Sequence, residues 1–114
     1  MTIQATLDSF LEATAQRLPE RRLRLVRQSL TLLQRDLEAR GPDYLTPDDR
    51  LRYAESGGAY CRLFGADRLG EHLPRFVASL PERGTRARAA VLVTRRLSAW
   101  LRRRRPSRGL PWRP

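Results

Sequence analysis

The chain has no lysine and no asparagine, one cysteine, one histidine, one isoleucine, and no acidic residue after Glu82. Each shortage excludes something. Without lysine there is no Gly-rich, Lys-bearing phosphate loop, and no Gly-x-Gly-x-x-Gly run is present either. A single Cys61 forms no internal disulfide, which suits a reducing compartment. Cys61 and His72 together fall short of the ligand count of a structural zinc site. Nothing in the sequence supplies the orienting residue and oxyanion donors that a Cys–His nucleophilic pair needs. No catalytic residue, metal site or cofactor is therefore expected. Cys61 reads as a small buried hydrophobe, and His72 as an exposed or capping residue near a helix start. No apolar run reaches the ~18–20 residues of a membrane span. The start Met1-Thr2-Ile3-Gln4 lacks the basic-then-apolar pattern of a secretory signal. The expectation is a soluble cytoplasmic protein.

What is present is arginine, unevenly placed. Residues 1–82 hold 12 Arg and 12 acids, whereas residues 83–114 hold 11 Arg and no acid. The whole net charge of +11 thus lies in the C-terminal third. A balanced body with a cationic end is the electrostatic outline of a protein that meets a polyanion. Two causes would give Arg in place of Lys: its planar fork suits phosphate, and a GC-rich genome also favours it. Genome composition does not account for the segregation of charge.

Ile and Val are scarce and Leu abundant, which favours helix over strand. Ile3, Leu7, Phe10, Leu11, Thr14 and Leu18 recur at helical spacing over 3–17, before Pro19. Leu23, Val26, Leu30, Leu33 and Leu37 do so over 19–40, before Gly41 and Pro42. Leu25 and Leu32 widen that apolar face, so this helix should be central. Thr46, Pro47, Asp48 and Asp49 make a helix start over 47–55, with Leu51 and Ala54 facing inward. The cluster Asp43, Asp48 and Asp49 reads as a turn and cap rather than a metal site. Gly57 and Gly58 break the chain before a short helix over 59–64 and another over 70–80. Pro74 is tolerable only in a first turn, so that helix is expected to start near Leu73.

The last helix is expected over 85–104. With Val93 centred on its buried side, Ala89, Ala90, Leu97 and Trp100 fall within about 60° of it. Arg88, Arg95 and Arg102 repeat every seven residues on the opposite side, and Arg96 and Arg103 border the buried stripe. Residues 106–114 cannot continue the helix, and 105–114 are expected to form a flexible basic tail, 1–104 being one helical bundle. Arg86, Arg88, Arg95, Arg96, Arg102, Arg103, Arg104 and Arg105 are the candidate phosphate contacts, with Arg108 and Arg113 as an auxiliary arm. Two readings stand for Trp112: stacking on an unpaired base, or folding back as a hydrophobic latch. Trp100, at core spacing, reads as packed.

The stretch Leu7-Asp8-Ser9-Phe10-Leu11-Glu12, the break at Leu18-Pro19-Glu20 and the long Leu-patterned helix ending at Arg40-Gly41 resemble the core-binding domain of tyrosine recombinases and phage-type integrases. Typical members carry Ser, Thr, Tyr and Phe where this chain has Pro19, Arg22, Val26 and Leu33. The region from Tyr60-Cys61 to Trp100-Leu101 is compatible with the remaining helices of such a bundle, so the resemblance spans about residues 5–101. It implies a small SAM-like helical bundle and contact with duplex DNA. It does not imply recombination, because that family's catalytic Arg, His and Tyr lie in a separate domain without a counterpart here.

The expectation is therefore an all-α, compact orthogonal bundle of five or six helices that binds nucleic acid without catalysis. Double-stranded DNA is preferred on the resemblance, and RNA is almost as compatible with the residues. The alternative is a protein-interaction module whose basic tail docks an acidic partner. A peripheral membrane protein held by anionic lipid ranks last, because the apolar stripe of the last helix is needed for the core.

Overall fold

The computed structural model describes residues 1–104. Six α-helices form it: α1 (Ile3–Ala15), α2 (Glu20–Arg40), α3 (Pro47–Glu55), α4 (Tyr60–Leu63), α5 (Leu69–Ser79) and α6 (Thr85–Arg104). Short 3-10 turns at Gly41–Tyr44 and Ala66–Arg68 join them. No β-strand occurs among the described residues, and the fold is an all-α bundle.

The apolar periodicity of α2 makes it the hub. Leu23, Val26, Leu30, Leu33 and Leu37 are buried, and α2 packs against α1, α4, α5 and α6. Ile3, Leu7 and Phe10 of α1, Leu69, Leu73 and Phe76 of α5, and Ala90, Val93 and Leu97 of α6 share its core with Leu45, Tyr60, Cys61 and Phe64. Leu25, expected to widen the apolar face, is at the surface instead. The N-terminus is pinned twice. The Thr2 hydroxyl accepts from the Ala5 N–H at 3.1 Å and caps α1. The Ile3 N–H donates to the Phe64 carbonyl at 2.9 Å, and the Ala66 N–H to the Met1 carbonyl at 3.1 Å.

Polar side chains near the end of α2 do further structural work. The backbone N–H groups of Tyr60 and Cys61 each donate to a Glu38 carboxylate oxygen at 3.0 Å. That carboxylate caps α4, a helix whose own N-cap, Ala59, offers no side-chain acceptor. Gly41 ends α2 where expected, with an ordinary helical φ of −53°, so a left-handed backbone is not what requires glycine here. A Cβ there would lie 2.5 Å from the buried Tyr60 ring. Left-handed glycines appear instead at Gly57 and Gly58, between α3 and α4.

Three local expectations fail for tertiary reasons. Helix α3 has no buried residue, and Leu51 is 61% exposed. The helix is held at its edge by Asp49, which bonds the Arg68 guanidinium at 2.7 Å, and by Tyr53 packed edge-on against Tyr60. Arg68 accordingly holds the Asp49 carboxyl below its ordinary value. Helix α5 begins at Leu69, with Pro74 inside it. Pro74 and Gly70 are both exposed, so the carbonyl deprived of its helical donor faces water. His72 is buried, not exposed.

Candidate nucleic-acid interface

Helix α6 carries the candidate residues. Ala87, Ala90, Val93, Thr94 and Leu97 are buried against the bundle. At about 100° per residue this turns Arg88, Arg95 and Arg102 outward along one line, about 10 Å apart. All three are exposed. Arg96 and Arg103 form a second exposed stripe beside the first. Leu92, 57% exposed, lies between the two.

Among the described residues no carboxylate lies within ion-pairing distance of any α6 arginine. Arginines of the body behave differently: Arg27 pairs with Glu20, Arg40 with Asp36, and Arg52 and Arg68 with Asp49. Arg102, Arg103 and Arg104 occupy the last turn of α6, where cations complement the helix dipole. That explanation does not extend to Arg88, Arg95 and Arg96 further up the helix.

The expected site residues therefore separate into groups. Arg88, Arg95 and Arg102 share one outer line, flanked by Arg96 and Arg103. Arg86, near the start of α6, sits apart. It lines a shallow pocket of about 220 Å³ with Arg35, Gln28 and Leu32 of α2. The guanidinium of Arg104 lies over the Trp100 ring, 4.7 Å from its centroid. Trp100 packs edge-on against Phe10, with centroids 5.5 Å apart. Arg105, Arg108, Arg113 and Trp112 lie outside the described residues.

Sequence reasoning missed Arg17. The end of α1 comes against the C-terminal half of α6, leaving a groove of about 470 Å³ between them. Phe10, Leu18 and Trp100 line it, with Arg17, Arg96 and Arg103. Read locally, Arg17 only complements the dipole of α1, and no sequence signal joins residues 17 and 103.

The two residues that could suggest chemistry are otherwise engaged. His72 Nε2 lies 2.6 Å from Asp36 Oδ2, a carboxylate oxygen that can only accept its N–H, and Arg40 donates to the same oxygen at 2.8 Å. Arg40 Nε lies 2.8 Å from Asp36 Oδ1 yet makes no hydrogen bond. Burial lowers the His72 imidazole from its ordinary value, against the opposing pull of Asp36. Burial, reinforced by the Glu38 carboxylate, pushes the Cys61 thiol up to about 12. A thiol so placed stays protonated near neutral pH.

Comparison with protein-family models, curated proteins and solved structures gave no match. No described helix is long and apolar enough to cross a membrane. Fold and surface together define an all-α bundle with one arginine-rich helix face.

Proposed function

We propose that this chain is a non-enzymatic nucleic-acid-binding module of the cytoplasm that holds double-stranded DNA through its backbone phosphates. Arg88, Arg95 and Arg102 bind phosphates at the centre, Arg96 and Arg103 flank them, and Arg105, Arg108 and Arg113 extend the cationic run. The observation that carries this reading is the outer face of α6: two lines of exposed arginine with no carboxylate beside them among the described residues. Such a face repels itself and gains most when phosphates neutralise it and counterions are released. Binding of this kind gives affinity and register but reads no sequence. The choice of duplex DNA over RNA rests on the likeness to recombinase core-binding domains.

A second reading has one observation in its favour. Leu92 stands exposed within the arginine face, as it would if an acidic, partly apolar protein docked there. Only duplex binding releases condensed counterions, with a slope of about 0.9 per neutralised phosphate.

Fluorescence anisotropy of a labelled blunt duplex, titrated with salt, tests the proposal. Arg95→Ala and Arg102→Ala should each reduce the log–log salt slope by about 0.9, the share of a single neutralised phosphate. Slopes unchanged from those of the unmodified chain would remove α6 from the interface.

A further inference from the structure

We propose that the groove between α1 and the C-terminal half of α6 receives an unpaired nucleobase, with Arg17, Arg96 and Arg103 on the phosphates beside it. This inference rests on the nucleic-acid reading above and goes further, because a phosphate-binding face alone would treat any duplex alike.

Three properties of the groove point to a nucleotide. Its volume of about 470 Å³ lies in the range of small-molecule sites. Its floor is aromatic: the edge-on packing of Phe10 fixes the Trp100 indole plane. A flat group already lies over that ring, the Arg104 guanidinium. A base can take its place, and Arg104 then swings to the phosphates. The charge is one-sided, since arginines stand around the groove and no carboxylate lines it. An occupant that complements these features is anionic at one end and a planar π-system at the other.

A base inside a duplex cannot offer its face to Trp100, because its neighbours cover it. The occupant is therefore an overhanging or extruded base. Position supports this. Arg96 and Arg103 belong both to the groove and to the second stripe of α6. A strand leaving a duplex held on the outer stripe passes them on its way to Trp100.

The test uses the full chain carrying Trp112→Phe, so that Trp100 is the only tryptophan. The probes are a blunt duplex and the same duplex with a short single-stranded overhang, compared at one salt concentration. One stacked base is worth roughly 1–3 kcal/mol, so the overhang should bind about 5- to 150-fold tighter. Trp100 emission should change with the overhang and not with the blunt duplex. Arg17→Gln, a surface change that leaves the core intact, should weaken overhang binding more than blunt binding. Equal affinity for both probes with unchanged Trp100 emission would overturn the groove assignment and leave the phosphate-binding face standing. Trp100 quenching by an acidic peptide, without any preference for the overhang, would overturn it in favour of a protein ligand. Binding of neither probe would overturn both proposals.

Discussion

Asp36→Ala is expected to lower stability by about 1–3 kcal/mol, the cost of leaving a buried donor unsatisfied. In a domain of this size that is a fall in Tm of roughly 5–20 °C. His72 is only 3% exposed, and its Nε2–H has Asp36 as acceptor at 2.6 Å. The same carboxylate receives Arg40, which also reaches the Arg75 carbonyl at 3.3 Å. One side chain of α2 thus ties α5 to the central helix. Asp36→Asn keeps an acceptor in place and should recover part of the loss. A Tm unchanged in Asp36→Ala would show that the network does not support the fold.

The same pair gives the stability a pH dependence. Burial is the largest influence on His72 and lowers its pKa. Asp36 opposes it, while Arg40 and Arg75 lower it further. The unfolded imidazole has its ordinary value of 6.5. Between that value and the lower native one, the unfolded chain binds more protons, so stability falls as the pH falls. Melting temperatures between roughly pH 7 and pH 5 should decline more steeply for the unmodified chain than for His72→Gln. That window lies above the range in which the depressed Asp49 carboxyl begins to titrate. Parallel curves would contradict the assignment.

Removing the outer stripe should have the largest effect on binding. The triple variant Arg88→Gln, Arg95→Gln, Arg102→Gln removes all three of its phosphate-binding side chains. Its salt slope should drop by about 2.7, and its affinity near physiological salt by about a hundredfold. A control carries Arg21→Gln, Arg50→Gln and Arg62→Gln, exposed residues of α2, α3 and α4. It sheds the same net charge from other surfaces. If only overall charge attracted DNA, both variants would weaken equally. A defined interface predicts less than about a tenfold loss for the control, since exposed charges beyond a Debye length are screened.

Much of the helical layout was legible in the sequence, because its signals are local. Thr46 caps α3 as its position before Pro47 suggests, its hydroxyl accepting from the Asp49 N–H at 3.2 Å. The span of α6 and its division into a buried and an arginine face follow from the spacing of Ala90, Val93 and Leu97. What escaped depends on residues far apart in the chain. His72 is buried because Asp36, on another helix, accepts its N–H. Gly41 is required by the ring of Tyr60, not by its own backbone angles. Leu51 has helical spacing, yet α3 lies at the rim and offers it nothing to pack against. Arg17 joins Arg96 and Arg103 only because α1 and α6 meet.

The most direct test of the account is the salt dependence of binding of the full, unmodified chain to a blunt DNA duplex. Phosphates neutralised by Arg88, Arg95, Arg96, Arg102 and Arg103 predict a log–log slope of about −4.5 or steeper. A slope near zero, or no binding even at ~50 mM salt where phosphate binding is strongest, would contradict it.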